Sequence, residues 1–580
     1  MRKLYNIAGL LSVFIFLQCN ENNIQQKADV LETNALDEKT VIPDVPAWLH
    51  ESVVYEIYPQ TFYDSDNNGI GDIPGIISKL DYVQSLGVNC IWMNPIFVSP
   101  CRDAGYDVAD YYNVNPRYGT KEDVKRLFAE VHKRGMHIII DCIFGHTSID
   151  HPWFKESCKT DSNKYTNRYI WTNSTWKKFD MCGVVDGTVI NGYCNRNGNF
   201  LTNFFWAQPA LNFGYAQPDP SKPWELPVTH PSVMELRAEM KNFLRYWLDM
   251  GCDGFHMDMA SSLVKRDTIN KVAEIWQDVR AMLNKDYPEA FIVPEWCMPI
   301  NAIKGGFHAD FLHWIPEYRM LWQGESWRCL DGSSDCHSYF DQEGKGDITA
   351  FLKVYLKHYK ATKDRGYCSF VLSNLNLART NIKRSRKDME IIFAFMLTMP
   401  GVPFIWYGEE IGMHQLYNIP AKEGGYAPRG GLRTPMQWDR SVNAGFSKAK
   451  KELLYFPVDT AQDAPNVAAE EADSSSLLHC FRKMMNLRKQ EKALINYANL
   501  SVLYAHPNAY PFIYARSLDE EIVLVILNPA NKEVQIKTGK DLNIETKQLL
   551  MGDEQDIKSM NDSIVFKVQP VSYSIYIIKK

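Results

Sequence analysis

The sequence predicts an α/β fold: a (β/α)8 barrel with a small subdomain inserted after its third strand, followed by a C-terminal antiparallel β-sandwich. Three observations carry that expectation. From about residue 48, short β-like runs alternate with amphipathic helical ones, the pattern of a parallel sheet with helical crossovers. Eight such runs fall at 53–58, 89–94, 137–141, 253–258, 291–295, 309–314, 368–374 and 403–407, and eight parallel strands close a barrel. Beyond about 490 the character changes to short Val-, Ile- and Tyr-rich runs broken by Asn, Asp, Gly and Pro, as in a sandwich. A chain of 580 residues also exceeds what one hydrophobic core usually serves.

Taken in order, residues 1–19 read as an export signal of lipoprotein type. Arg2 and Lys3 precede an apolar stretch, Ile7 to Leu17, too short for a comfortable transmembrane helix, and Cys19 follows as the residue to be lipidated. Residues 20–47 are polar and rich in Asn and Gln, suited to a flexible tether. The barrel is expected over 48–490. Within it, Thr120 caps a helix whose Val124, Leu127, Phe128 and Val131 share a face, Gly135 ends it, and the buried run Ile138-Ile139-Ile140 follows. A second unit repeats the logic, with Met240, Phe243, Leu244 and Trp247 on one face, Gly251 as the stop, and a strand through Phe255 to Asp258. Residues 147–230, rich in Asn, Gly, Pro, Trp and Tyr, are too long for an ordinary connection and form the inserted subdomain. The sandwich takes 491–580.

Composition narrows the partners. The formal net charge is −6, with no dense Lys/Arg run, so nucleic acid is excluded as a partner. The only membrane contact expected is the lipid anchor at Cys19, which puts the protein in the cell envelope, at the outer membrane or in the periplasm. Of the thirteen cysteines, Cys90, Cys142, Cys252 and Cys368 sit in apolar strand-like runs and are expected as buried free thiols. Cys182 with Cys194, and Cys329 with Cys336, lie in loop-like sequence close enough to pair, and no CxxC cluster argues for zinc.

Asp141, Asp258 and Glu295 end three successive candidate strands, which a barrel gathers at one face. One carboxylate attacking an anomeric carbon and one carboxylic acid protonating the leaving oxygen are the equipment of glycoside hydrolysis. Any one of these acids alone reads as structural or solvated; the repeated placement carries the argument. Separately, Asp64, Asp66, Asn68 and Asp72 alternate around Gly69 and Gly71, and with the Ile70 carbonyl they offer oxygen ligands for a hard cation.

The motifs themselves are specific. DCIFGH (Asp141 to His146), GCDGFHMD (Gly251 to Asp258), Glu295 in VPEW and SNLNLAR (Ser373 to Arg379) resemble the four sequence regions of the α-amylase superfamily of glycoside hydrolases. YEIYPQTFYDSDNNGIGDIPGI (Tyr55 to Ile76), DAGYDVADY (Asp103 to Tyr111), AQPALN (Ala207 to Asn212) and LRTPMQWD with NAGFS (Leu432 to Ser447) resemble the branch holding oligo-1,6-glucosidases, α-glucosidases, trehalose synthases and sucrose isomerases. The resemblance implies a retaining α-glycosidase or transglycosidase acting on a small α-linked oligosaccharide or disaccharide. It implies Asp258 as nucleophile and Glu295 as general acid and base, the latter needing a raised pKa while Asp258 stays ionised. It further implies Tyr106 stacked on the sugar, Asp107, His146, His256 and Asn376 around its hydroxyls, and Arg433 paired with Asp107 behind the non-reducing end. Structural Ca2+ at Asp64, Asp66, Asn68, Ile70 and Asp72 is implied too.

The departures are equally definite. Where the family pattern has Arg, His, Asp and Asn, this chain has His256, Leu375, Asn376 and Gly145, and Ala210 replaces an Asp. Losing one charge-assisted contact to a transition state costs about 2.7–4 kcal/mol, roughly a hundred- to a thousandfold in rate. Two readings of different class follow: an enzyme whose sugar differs at those hydroxyls, or a catalytically impaired saccharide-binding protein of the cell envelope. Retention of Asp258 and Glu295 favours the enzyme.

Overall fold

The computed structural model describes residue 36 and residues 39–179, 187–322, 337–423, 429–539 and 542–578. The export signal, Cys19, most of the tether, Cys182, Cys329 and Cys336 lie outside the described residues.

Eight parallel strands form one sheet: β1 (Val54–Ile57), β2 (Cys90–Met93), β3 (His137–Cys142), β4 (Gly254–Met257), β5 (Phe291–Pro294), β6 (Ala309–Phe311), β7 (Tyr367–Val371) and β8 (Pro403–Trp406). Their order is β6-β7-β8-β1-β2-β3-β4-β5, and the free ends approach each other where His308 N donates to Ile292 O at 3.1 Å. The sheet is therefore a nearly closed barrel. All eight expected strands are present, each ending within a few residues of expectation; β6 and β7 each stop three residues before it.

Strand alternation explains the packing. Val54, Trp92, Ile139, Val293, Phe311 and Phe404 point inward into one buried cluster, while Tyr55, Ile91, Ile138, Ile292 and Ile405 face the surrounding helices. At about 1.5–3 kcal/mol for each fully buried large apolar side chain, these two layers supply most of the drive for closure. The helices follow the capping logic read from sequence. In α1 (Lys121–Lys133), Thr120 and Asp123 form a reciprocal capping box and Val124, Leu127, Phe128 and Val131 are buried. In α2 (Pro231–Met250), Gly251 takes a left-handed φ of 113°, which a side chain would oppose at about 1–2 kcal/mol.

The segment between β3 and β4 folds against the mouth, with a small hairpin of Val189–Asn191 and Asn199–Leu201. It is stitched to the barrel by a bridge between His146 and Ala210 and by Leu211 N donating to Gly145 O at 3.1 Å. The C-terminal region holds two antiparallel sheets. One comprises β9 (Asn499–Tyr504), β10 (Phe512–Leu518), β11 (Glu521–Asn528), β13 (Lys547–Gly552) and β16 (Ser572–Ile578); the other comprises β12 (Val534–Thr538), β14 (Asp556–Met560) and β15 (Ser563–Val568). Ile513, Leu524 and Ile526 of the first meet Ile536, Ile564 and Phe566 of the second in one core, a sandwich as expected.

Cys90, Cys142, Cys252 and Cys368 are buried free thiols, and burial raises each one's pKa. Cys194 is free and its thiol lies against that of Cys158. Among the described residues, no helix is long and apolar enough to cross a membrane.

Candidate active site

Parallel register gathers the acids. Asp141 of β3 pairs with His256 of β4, and Met257 pairs with Pro294, so Asp258 and Glu295 leave adjacent strands side by side. Their backbones are fixed: Asp258 N donates to Cys142 O at 3.0 Å and Glu295 N to Met257 O at 2.9 Å. Directly after Asp258 the chain turns through Met259 at φ 44°, a left-handed conformation that costs a non-glycine residue about 1–3 kcal/mol. That turn aims Met259 N at Glu295 Oε2, 3.4 Å away. On the other oxygen, Trp314 Nε1 donates to Glu295 Oε1 at 3.1 Å.

Asp258 is 9% exposed, and its Oδ2 is buried without a hydrogen-bond partner. Burial first, then the Glu295 and Asp141 carboxylates, hold Asp258 well above the usual carboxylate range. The expectation placed a raised pKa on Glu295 and required Asp258 to stay ionised; in the structure, burial and neighbouring carboxylates raise Asp258 itself.

Behind it, His256 Nδ1 contacts Asp141 Oδ1 at 2.6 Å, and Tyr106 OH donates to Asp141 Oδ2 at 3.3 Å. Burial raises Asp141 despite the opposing pull of His256. The His256 ring lies 4.2 Å from Trp92, so this imidazole has both an acid partner and a flat wall. His146 Nε2 meets Tyr106 O at 3.2 Å, and burial lowers its pKa to about 4, leaving a neutral ring.

The departures from the family pattern turn out to be filled by neighbours. A Cβ at Gly145 would lie 2.5 Å from Asn203 Nδ2: an amide from the inserted segment occupies the space next to Gly145. Asn203 Nδ2 donates to Ser262 Oγ at 3.0 Å and its Oδ1 accepts from Lys265 Nζ at 3.0 Å. Lys265 is buried, which brings its pKa down to about 7. Asn376 Oδ1 accepts from Arg429 Nη1 at 2.8 Å and Arg433 Nη2 at 3.2 Å, while Leu375 contributes only its carbonyl, to Arg433 Nε at 2.9 Å.

One expected pairing is corrected. Arg433 does not pair with Asp107; its Nη1 bonds Glu423, which also accepts from Tyr58 and Tyr455. Asp107 is fully buried and bound by its own loop, accepting from Ser99 Oγ at 2.9 Å and from the Arg102 and Asp103 amides, with burial raising it to about 6. The ion pair across this side of the pocket is instead Arg429 with Asp103 at 2.7 Å, and Gln208 of the AQPALN motif donates to the other Asp103 oxygen at 3.0 Å. The pairing carried over from the resemblance thus falls on Asp103 rather than Asp107; left-handed turns at Ala104 and Gly105 separate the two carboxylates. Asp103, Asn203, Trp314 and Arg429 are thus site residues that sequence reasoning missed; only Asp103 carried a signal, its place in DAGYD.

The acidic loop after β1 brings carboxylate oxygens of Asp64, Asp66 and Asp72 within 4.8 Å of one another. Asp64 accepts from the Asn67 and Gly69 amides at 2.7 and 2.8 Å and from Ser447 Oγ, which ties in the NAGFS segment. Asn68 Oδ1 accepts from Ile70 N at 2.8 Å, shaping the loop. Asp66 is raised by partial burial and by Asp64 and Asp72. Three hard oxygen donors converging at this spacing fit a divalent cation.

Comparison with known proteins agrees with this geometry. Residues 56–497 match the Alpha-amylase family, described as the α-amylase catalytic domain. The chain is 29% identical to the oligo-1,6-glucosidase of Parageobacillus thermoglucosidasius, over 92% of this chain and 99% of that protein. It is 30% identical to the trehalose synthase/amylase of Mycolicibacterium smegmatis, over 78% of each. The α-amylase from H. orenii shares 25% identity and superposes with a TM-score of 0.68 over 91% of this chain and 99% of that one. For isomaltulose synthase from Klebsiella sp. LX3 the TM-score is 0.72 over 92% and 99%, at 23% identity, a likeness of fold.

Proposed function

This chain belongs to the α-amylase catalytic-domain family, and from that premise we propose that it is a retaining α-glycosidase or transglycosidase acting on small α-linked saccharides. The observation that carries the reading is the unsatisfied, buried Asp258 Oδ2 beside Glu295. Asp258 attacks the anomeric carbon as Glu295 protonates the departing oxygen, giving a covalent β-glycosyl ester. Glu295, now a carboxylate, takes a proton from water or from an acceptor sugar, whose oxygen displaces Asp258 and restores the α configuration. Tyr106, His146, His256 and Asn376 line the pocket in which the sugar is gripped, and Arg429 with Arg433 closes the side next to Asn376.

Incubation with a slow fluorinated α-glucosyl substrate, followed by peptide mass spectrometry, tests the proposal. A label on Asp258 supports it; saccharide binding without any label across a broad panel overturns it in favour of the non-catalytic envelope protein. Structural Ca2+ at the Asp64, Asp66 and Asp72 loop, and export as a lipoprotein anchored at Cys19, complete the reading. The first rests on the converging oxygens, the second on the leader sequence.

A further inference from the structure

Trp314 lies just past the end of β6, and one side chain there does two unlike things. Its Nε1–H donates to Glu295 Oε1 at 3.1 Å, yet the residue is 44% exposed. The ring is held from behind by His313, whose centroid is 5.0 Å away at 56° and which is itself buried. Burial lowers the His313 pKa to about 3, so this support is a neutral ring. A rigid indole therefore hangs over the mouth with its N–H on the acid and an apolar face toward solvent.

The N–H constrains where the acid's proton can sit. A neutral carboxyl has one oxygen that donates and one that accepts, and indole N–H is a donor only. Oε1 accepts from Trp314 at 3.1 Å and Oε2 from Met259 N at the longer 3.4 Å, so Oε2 is the less tightly held oxygen and the one on which a proton displaces the weaker bond. As that proton passes to the glycosidic oxygen, the charge appearing on Glu295 meets a donor already in place, which is the form of help that lowers a barrier. The indole's exposed face, next to the acid, offers a flat surface for the ring that leaves.

We propose that Trp314 is a positioning residue for the general acid and the platform for the leaving saccharide, so that leaving-group recognition and proton delivery are coupled through one side chain. The inference rests on the reading of Glu295 as the acid.

Trp314→Phe keeps a ring and removes the donor; Glu295→Gln is the control for the acid. Each is assayed with isomaltose, whose leaving oxygen needs a proton, and with α-glucosyl fluoride, whose leaving group needs little help. Read as kcat/KM, which reports the leaving-group step and not the later water attack that also uses Glu295, the expected result for Trp314→Phe is a loss of about 10-fold or more on isomaltose, with the value on the fluoride within about twofold of the parent. Trp314→Ala is expected to add a rise in KM for isomaltose and none for the fluoride. If Trp314→Phe slows both substrates equally, or neither, the inference falls while the Glu295 reading stands, provided Glu295→Gln shows the split. If Glu295→Gln shows no split, or the parent turns over neither substrate, the reading of the acid fails and this inference with it.

Discussion

Two clusters of three carboxylates sit on the same side of the sheet, and their environments make them opposites. Asp64, Asp66 and Asp72 lie on a loop where backbone N–H groups and Ser447 satisfy the oxygens of Asp64, and Ser65 and Gly75 those of Asp72. Asp141, Asp258 and Glu295 lie at strand ends, where Asp258 Oδ2 has no donor at all. The lesson is that acid clusters are sorted by their donors. Carboxylates whose oxygens are held by amides are shaped by those donors, whereas burial and its acidic neighbours push up the pKa of the one left bare.

The contrast can be broken at either end. Asp258→Asn has the largest expected effect, a loss on the order of 10⁴–10⁶ in kcat with the fold intact, checked by steady-state rates and circular dichroism. Adding a side chain where the inserted segment meets the barrel should also tell: Gly145→Asn drives a Cβ into Asn203 and is expected to cost about 1–3 kcal/mol of stability and most of the activity. The double variant with Asn203→Ala should recover both, read by thermal melts and turnover. At the other cluster, Asp64→Ala strands the Asn67 and Gly69 amides and is expected to destabilise by about 2–4 kcal/mol and to abolish any calcium-dependent rise in Tm.

The smallest effect concerns pH. In the proposed mechanism Asp258 reacts as the carboxylate; burial first, then the neighbouring Glu295 and Asp141 carboxyl groups, raise its pKa. Removing the Glu295 carboxyl eases ionisation. Glu295→Gln should therefore move the acid limb of kcat/KM for α-glucosyl fluoride to lower pH, a substrate whose first step bypasses the lost acid. An unmoved limb would show that burial, with Asp141 and Asp103, sets Asp258 without Glu295.

The backbone was far more legible than the pocket wall. Thr120 with Asp123, the face of Val124, Leu127, Phe128 and Val131, and the stop at Gly251 are local signals whose partners lie within a turn or two. The placement of Asp141, Asp258 and Glu295 followed from strand ends, a rule of the barrel rather than of any contact. What sequence did not disclose are contacts chosen by proximity in three dimensions. Asn203 stands beside Gly145 from 58 residues away, and Arg429 reaches Asp103 across 326 residues. Reading Gly145 and Asn376 as simple losses missed that neighbours grow into the space, so a residue's absence from a motif does not imply an empty place in the pocket.

The stitching of residues 147–230 to the mouth has a practical corollary for anyone handling this protein. Asn203 and Gln208 help wall the pocket, yet they hang from an excursion that carries none of the eight barrel strands. A protease nick in that excursion should therefore leave a particle that melts cooperatively and elutes normally but has lost its catalytic competence. Yield and purity would both look satisfactory for a preparation that is inert.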